Sequence, residues 1–532
     1  MKKTILRQTS FFAAAALCCA TLHAEVTLAT PFTAHMVLQR GMKVPVWGTA
    51  DAGETVTVEF AGQKKSATAS ADKKWRVDLD SLTASADSRT LSVSGTATAT
   101  PVKLDDVLVG DVWLASGQSN MVFPVQASGP YGGVLNFEGE VAAAKYPQIR
   151  MFTAVDTKAR EPQTTVSSNL RLSDGTTTSG WVVCSPETAG GFSAIGYLFG
   201  RDIQLQIKVP VGILCSASGA SCAEAWISRE SLLADPQTKY MIDGLDKSYA
   251  VYYGDGGSVA GNPAAEALFR PTPINKPRGR VGAPDKDQHM PTVLFNGMLN
   301  PLLPYAIRGA IWYQGESITG GTPGLNLYGH VLQDLVQDWR KQWGEGDFPF
   351  YFVQLPGQEN ISNNPRIREE QQKVLALKNT GLAVTIDTGE KSNVHPRNKQ
   401  PTGYRLALTA LANAYGQNIE FSGPMFDAMK VEGSTARISF THVGNSLVAK
   451  GGALKGFQIA GADQKFVDAD AKVDGKTLVV SSPDVKTPVA VRYAYVNFPE
   501  GLGCNLYNSY DLPAAPFRTD TWDFPIPGIV EN

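Results

Sequence analysis

Residues 106–115 read DVLVGDVWLA, a nearly continuous apolar run that is followed closely by the polar tetrapeptide GQSN at 117–120. A strand that is apolar along most of its length is typically buried on both faces, as in a parallel sheet. Similar runs recur along the chain with helical periodicity between them, which predicts an α/β/α sandwich around a parallel sheet. The further runs are VPVGILCS (209–216), RGAIWYQ (308–314), PFYFVQLP (349–356) and GLAVTIDTG (381–389).

The flanking parts of the chain have a different pattern, in which short β-prone runs such as ETVTVEFAG and VAVRYAYVNF alternate with turns. Strands of this length between turns are typical of β-sandwiches. We therefore predict an N-terminal β-sandwich at 25–105, an α/β domain at 106–417 and a C-terminal β-sandwich at 418–532. A Gly- and Pro-rich insertion near 231–290 interrupts the α/β domain, where we expect it to wall the substrate cleft.

The start of the chain has the pattern of a secretory signal peptide at 1–24. Lys2, Lys3 and Arg7 form a basic head, FFAAAALCCATL supplies a short apolar core, and Ala24 is a small residue suited to cleavage. A membrane-spanning helix needs about 20 apolar residues, a length that neither this segment nor any other approaches. The sequence therefore predicts an exported protein, periplasmic or extracellular, without a membrane span.

Composition excludes several classes of protein. Of the 532 residues, 43% are hydrophobic, which is enough for large buried cores. The 48 basic and 50 acidic residues give a formal net charge of −2, and no Lys- or Arg-rich run stands out. This balance argues against nucleic acid or an anionic membrane as the main partner.

The cysteines predict neither a disulfide framework nor a metal site. Four remain after the predicted signal peptide, which leaves room for one or two bridges in an oxidising compartment. No CxxC pair or HExxH motif occurs, so we expect no bound metal and no other cofactor. The four are Cys184, Cys215, Cys222 and Cys504.

Polar residues follow the apolar runs at the positions where the predicted strands end: Ser119, Gly219, Gln314 with Glu316, and His395. Ligands of open parallel sheets bind at these carboxyl ends, where loops from neighbouring strands converge. A serine, amide donors and a histidine are the parts that serine acyl transfer requires as nucleophile, oxyanion site and base.

Each of these residues has a simpler explanation. Ser119 and Gly219 are common turn residues, Gln314 and Glu316 could cap the helix that follows, and a lone histidine before proline is most often a packing residue. Their joint occurrence at strand ends favours the catalytic interpretation. The α/β-hydrolase arrangement is excluded, because Ser119 lies in GQSNM rather than in a G-x-S-x-G elbow.

The chain resembles the SGNH-type sialate O-acetylesterases, a family of carbohydrate esterases, over nearly all of its length after residue 24. The block around Ser119 and the WYQGES and HP-x-N-K blocks are together highly specific. The matching segments are MVLQRGMKVPVWG (36–48), GDVWLASGQSNM (110–121), GFSAIGYLFGRD (191–202), VPVGILCSASGASCAEAW (209–226), LFNGMLNPLLPYAIRGAIWYQGES (294–317), NVHPRNKQPTGYRLAL (393–408) and LPAAPFRTD (512–520).

The resemblance implies an SGNH-hydrolase domain with accessory β-domains that hydrolyses acetyl esters on sugars. Ser119 would be the nucleophile and His395 the general base. Gly219 and Gln314 match oxyanion positions, beside the main-chain amide of Ser119.

The chain departs from the family pattern near the base. The family commonly has Asp two residues before the histidine, where this chain has Asn393. The second ring nitrogen of a catalytic histidine normally bonds to an acceptor that fixes its tautomer. We expect Glu316 to be this acceptor, with Asp387, Glu390 or a main-chain carbonyl as alternatives. The family also often has Asn after QGES, where this chain has Ile318.

Three functions fit these residues. The first is a sialate O-acetylesterase, whose substrate carboxylate would need a basic partner. The second is an esterase of acetyl-xylan or another plant polysaccharide. The third is a carbohydrate-binding protein on a weakly catalytic scaffold, which Asn393 favours and the intact set of site residues opposes. The candidate partners for a sialate carboxylate are Arg278, Arg280, Arg368 and Arg397.

Overall fold

The predicted signal peptide and residues 255–282 of the predicted insertion lie outside the part of the chain that the structure describes. No helix in the described part combines the length and hydrophobicity needed to cross a membrane. The structure is a computed structural model that describes residues 25–98, 100–254, 283–318, 321–359 and 364–522.

Strands form most of the regular structure at both ends of the described chain and alternate with helices between them. The strands are β1 (Thr27–Leu28), β2 (Val37–Gln39), β3 (Val44–Thr49), β4 (Thr55–Phe60), β5 (Gln63–Thr68), β6 (Lys74–Leu79), β7 (Ser85–Gly95), β8 (Val102–Gly117), β9 (Tyr146–Thr153), β10 (Leu170–Arg171), β11 (Thr177–Thr178), β12 (Val182–Cys184), β13 (Val211–Ala217), β14 (Gly309–Tyr313), β15 (Phe350–Val353), β16 (Thr380–Ala383), β17 (Met425–Glu432), β18 (Thr435–Thr441), β19 (Leu447–Ala449), β20 (Phe457–Ala460), β21 (Phe466–Asp468), β22 (Asp470–Asp474), β23 (Thr477–Ser481), β24 (Ala490–Tyr493), β25 (Leu506–Asn508) and β26 (Phe517–Arg518).

The α-helices of the described residues all lie between β8 and β17. They are α1 (Ser119–Val122), α2 (Phe137–Ala143), α3 (Pro186–Ala189), α4 (Ala194–Ile207), α5 (Arg229–Ala234), α6 (Lys239–Gly254), α7 (Gly321–Trp343), α8 (Asn364–Lys373) and α9 (Gln400–Asn413).

A mixed sheet occupies the centre of the molecule, with the order β12-β9-β13-β8-β14-β15-β16. Every neighbouring pair from β9 to β16 is parallel, and β12 is antiparallel to β9. The five apolar runs of the sequence correspond to β8, β13, β14, β15 and β16. The parallel strands predicted from them are therefore confirmed.

The ends of three neighbouring strands lie at the same level. Gly117 at the end of β8 pairs with Ala217 at the end of β13 and with Tyr313 at the end of β14. The residues that follow these ends consequently emerge beside one another at one edge of the sheet.

Helices cover both faces of this sheet. On one face, α4 carries Phe199, whose ring lies 5.1 Å from that of Trp113 in β8. On the other face, α7 carries Trp339, whose ring lies 5.6 Å from that of Trp312 in β14. The layers explain why these strands are apolar on both faces.

Strand β8 also joins the N-terminal strands to the central sheet. Its first half pairs antiparallel with β7 and its middle pairs in parallel with β2, whereas its second half pairs with β13 and β14. The strand therefore runs across position 105/106, at which the sequence predicts a domain boundary. The division into domains stays a prediction.

The residues after 417 form two four-stranded antiparallel sheets and one small pair of strands. The sheet orders are β17-β18-β23-β22 and β21-β20-β24-β26, and β19 pairs with β25. These strands reach the α/β core through Arg518, which donates to both carboxylate oxygens of Glu369 in α8. Their description as a β-sandwich stays a prediction.

All four cysteines of the described chain are free. Burial raises the pKa of the Cys184 and Cys215 thiols to about 12, which keeps both protonated at neutral pH. They behave as small apolar core residues.

Gly117→Ala should destabilise the protein. Gly117 has a φ of +135°, and a Cβ at this position would lie 2.2 Å from the carbonyl oxygen of Tyr313. Backbone strain of this kind costs about 1–3 kcal/mol before any clash. The matched control is Gly416→Ala, at a φ of +66° with nothing near the added carbon. Thermal unfolding should show a larger loss of Tm for Gly117→Ala, and equal losses would contradict the close contact.

Candidate active site

Ser119 opens a tight turn directly after β8. The turn is tied to the end of β14, because the main-chain N–H of Gln118 donates to the carbonyl of Tyr313 at 2.9 Å. The side-chain oxygen of Gln118 accepts from the main-chain N–H groups of Gly315 and Ser317. Ser119 is 8% exposed, so its environment is largely protein while part of it remains accessible.

Gly219 follows the neighbouring strand β13 and faces open space, since a Cβ there would meet nothing within 4 Å. The N–H of the preceding residue, Ser218, donates to the carbonyl of Gly117 at 3.1 Å. The main-chain N–H groups of Gly219 and Ser119 donate to no main-chain carbonyl of the described residues. Both groups are therefore available to a ligand at this edge of the sheet.

Gln314 is fully buried after β14, and its side chain takes part in three hydrogen bonds. Its amide nitrogen donates to the carbonyl oxygens of Ser221 and Ser317, at 3.1 and 2.7 Å. Its amide oxygen accepts from the hydroxyl of Tyr328 at 2.7 Å. Both amide hydrogens are thus engaged, and donation to an oxyanion would require exchange of one of these bonds.

His395 lies on the loop that follows β16 and is brought to the Ser119 turn by Asn120. The side-chain amide of Asn120 donates to the carbonyl oxygen of Val394 at 2.9 Å. The His395 ring packs edge-on against Tyr131, with 5.0 Å between ring centroids. Asn120 and Val394, which adjoin the predicted nucleophile and base in sequence, are therefore in direct contact.

The imidazole of His395 is held in its neutral form. Burial, together with the positive charge of Lys399, lowers the pKa of His395 to about 4. Burial disfavours the charged form, and a nearby cation acts in the same direction. The ring is consequently unprotonated at neutral pH, as a general base must be.

The hydrogen bond expected between Glu316 and His395 is not formed. Oε1 of Glu316 accepts from the Asn120 amide at 2.5 Å. Oε2 of Glu316 and Nε2 of His395 are both buried, and neither has a hydrogen-bond partner. The expected contact is wrong because the Asn120 amide bonds to the carboxylate and to the histidine loop at once.

The alternative acids are also engaged elsewhere. Asp387 forms a bidentate pair with Arg405, at 2.6 and 2.7 Å, and accepts from the hydroxyl of Tyr507. Glu390 accepts from the side chain of Asn393 and from the main-chain N–H of Arg397. Neither carboxylate hydrogen-bonds to the His395 ring within the described part of the chain.

Asn393, which stands where the family commonly has Asp, shapes the loop instead of contacting the imidazole. Its side-chain oxygen accepts from the main-chain N–H of His395 at 3.0 Å. Its amide nitrogen donates to the carbonyl of His395 and to Glu390, both at 2.9 Å. The residue closes a turn around the histidine.

Two polar residues of this cluster were missed by the sequence analysis, Asn120 and Lys399. The ammonium of Lys399 donates to the side-chain oxygen of Asn120. Lys399 is 1% exposed, and burial lowers its pKa to about 7 against the opposing effect of Glu316 and Glu390. The available signal was position: Asn120 adjoins Ser119, and Lys399 lies four residues after His395.

Of the four candidate arginines, Arg278 and Arg280 lie outside the described residues. Arg368 is fully buried and donates to four main-chain carbonyl oxygens, so its role is structural. Arg397 is half-buried, two residues after His395, and its guanidinium donates to the carbonyl of Gly133 at 2.8 Å.

Comparison with known proteins relates this site to a family. A family model described as carbohydrate esterase, sialic acid-specific acetylesterase, matches residues 294–412. The sialate O-acetylesterase of Mus musculus is 30% identical over 91% of this chain and 92% of its own length. The chain belongs to the sialate O-acetylesterase family. The family member from Homo sapiens is 29% identical over 91% of this chain and 90% of its own.

A solved structure agrees with this membership. The crystal structure of a carbohydrate acetylesterase from Xanthomonas citri has a TM-score of 0.77 with this chain. The two sequences are 34% identical, and the match covers 93% of this chain and 100% of the other. This member of the family is a hydrolase with the function of a carbohydrate esterase.

The neutral state of His395 predicts how stability depends on pH. The folded pKa of about 4 lies below the ordinary value of 6.5, so the unfolded chain binds more protons between these values. Stability due to His395 is therefore lost as pH falls through this window. His395→Gln should show a smaller drop in Tm from pH 6.5 to pH 4 than the wild-type protein. Ser119→Ala, which keeps the imidazole, should retain the wild-type drop, and identical profiles for all three proteins would contradict the depressed pKa.

Proposed function

We propose that this carbohydrate esterase removes acetyl groups from O-acetylated sialic acids through an acyl-enzyme on Ser119. The observation that carries the proposal is the 2.9 Å hydrogen bond from Asn120 to the carbonyl of Val394. These two residues adjoin Ser119 and His395, so the bond draws a nucleophile and a neutral base to the same edge of the sheet.

In the proposed mechanism, His395 takes the proton of the Ser119 hydroxyl as its oxygen attacks the acetyl carbonyl. The resulting oxyanion accepts hydrogen bonds from the main-chain N–H groups of Ser119 and Gly219. Neither N–H group donates to a main-chain carbonyl of the described residues. Gln314 would become a third donor by giving up one of its carbonyl partners. His395 then protonates the departing sugar hydroxyl, and water releases acetate from Ser119 by the reverse steps.

The proposal extends to the organisation of the chain. An SGNH-type catalytic domain at 106–417 would lie between accessory β-domains at 25–105 and 418–532. The pattern of the first 24 residues supports export to the periplasm or the exterior, with cleavage after Ala24.

Ser119→Ala should abolish acetate release without lowering Tm, because it removes one hydroxyl from a turn held by main-chain bonds. His395→Ala should cause a similar loss, and the double variant should be no slower than either single variant, since nucleophile and base act as a unit. Acetate release and thermal unfolding measure both effects. Activity near wild type in folded Ser119→Ala would refute the mechanism.

The same experiment tests the alternative function, that of a weakly catalytic carbohydrate-binding protein. The observation that favours it is the missing acid partner of His395, since loss of that partner can cost several powers of ten in rate. Glycan binding that persists in Ser119→Ala, with no acetate release in wild type, would support this alternative.

Sialate, rather than xylan, is the substrate that we propose, because the relatives from Mus musculus and Homo sapiens are named sialate O-acetylesterases. A sialate carboxylate calls for a cation, and Arg397 is the candidate with remaining exposure beside His395.

Arg397→Gln should raise KM for an O-acetylated sialoside by about tenfold or more, the range expected for a lost charge-assisted hydrogen bond. KM for acetyl-xylan, which lacks the carboxylate, should change little. Side-by-side acetate release from the two substrates measures both values. Equal changes in KM for both substrates would mean that Arg397 only supports the Gly133 loop. Faster hydrolysis of acetyl-xylan by the wild-type protein would favour the polysaccharide esterase.

A further inference from the structure

We propose that Lys399 is a positioning residue of the esterase site, which acts through Asn120 to hold the Ser119 turn against the His395 loop. This inference rests on the proposed function of Ser119 and His395. It gives a role to a buried charge that the mechanism above does not use.

The side chain of Asn120 hydrogen-bonds to three neighbours. Its side-chain oxygen accepts from the Lys399 ammonium, and its nitrogen donates to Glu316 and to the carbonyl of Val394. An ammonium offers donors alone, and a carboxylate or carbonyl oxygen offers acceptors alone. The amide therefore has one orientation that satisfies all three neighbours, and reversing it would break every bond.

Burial makes each of these hydrogen bonds hard to replace. Asn120 is fully buried and Lys399 is 1% exposed, so water cannot replace a lost partner for either. The Lys399 ammonium also lies 4.9 Å from the ring centroid of Phe123 and 5.2 Å from that of Tyr313. Phe123 directly follows α1, and Tyr313 ends β14. Lys399 thus contacts both segments that frame the Ser119 turn.

The charges around Lys399 explain why an ammonium is tolerated here. Glu316 and Glu390 both favour its protonated form, and burial opposes it. The charge of this ammonium also acts on His395, and Tyr131 packs edge-on against the imidazole. Burial raises the pKa of the Tyr131 and Tyr313 phenols, so both stay neutral. The ionisable groups around Lys399 and the imidazole are therefore Glu316, Glu390 and these two phenols.

A positive charge beside His395 gives the proposal a signature in the pH profile. Lys399, with a pKa of about 7, is protonated throughout the range in which His395 titrates. Removing the charge should raise the pKa of His395 by about one unit, the low end of the range for a close charge. The acid limb of kcat/KM, which reports the base of the free enzyme, should move upward by the same amount.

The test compares Lys399→Met with Lys391→Met. Lys391 lies on the same loop, but its side chain is 67% exposed and pairs with Glu359 at the surface. Lys399→Met should lower kcat by about 10²-fold, as expected when reacting groups lose alignment, and displace the acid limb. Lys391→Met should retain the wild-type kcat and acid limb. An unmoved acid limb in folded Lys399→Met would overturn the proposal.

A second variant separates positioning from folding. Lys399→Met leaves the buried carboxylate of Glu316 without its cation, so a lower Tm is expected for this variant. Glu316→Gln combined with Lys399→Met removes both charges and should recover much of the Tm. Under the proposal, kcat and the acid limb stay displaced in this double variant. Recovery of both along with Tm would reduce Lys399 to a structural residue.

A readout without turnover distinguishes this inference from the mechanism on which it rests. NMR titration of the His395 ring in Ser119→Ala should give a pKa of about 4, and the same titration in Ser119→Ala with Lys399→Met should give a higher value. Equal values would refute the role of Lys399 whatever Ser119 does. Acetate release by Ser119→Ala would refute the mechanism, while a shifted imidazole would still place the charge of Lys399 beside His395.

Discussion

The parallel pairing of β8 with β13 and β14 is the constraint on which the rest of the structure depends. It ends three strands at one level, so that short polar segments far apart in sequence meet at a single edge. The pairing also brings the chain at Gly117 so close to the carbonyl of Tyr313 that a side chain would not fit. The serine is therefore displayed at a point where backbone touches backbone, and its position is fixed by the sheet.

Around this edge, the protein replaces a single acid–histidine contact with a buried polar cluster. Asn120 hydrogen-bonds to both Glu316 and Lys399, and it holds the histidine loop through the carbonyl of Val394. An amide at the centre of such a cluster joins opposite charges without a direct ion pair, which softens the desolvation cost that each charge carries. The imidazole itself stays neutral and free of a carboxylate.

The strands and the meeting of their polar ends could be predicted, because apolar runs that alternate with helical periodicity are local signals of a parallel sheet. The acceptor of His395 could not, because three carboxylates were candidates and the amide of Asn120, which bonds to Glu316 instead, stood in a turn. Lys399 escaped notice since lysine is almost never fully buried. The continuity of β8 across position 105/106 could not be predicted either. The sequence pattern changes there because the strand changes its pairing partner from β7 to β14, and the strand itself does not end.

The loop that carries His395 is anchored by residues that come more than a hundred positions later. Glu500 accepts from the N–H of Gly389, and the hydroxyl of Tyr507 donates to Asp387. During synthesis, the strand that precedes Ser119 is therefore complete long before the residues that anchor the His395 loop. The contacts that hold this loop can form only after the last strands have been made and have packed against the α/β core.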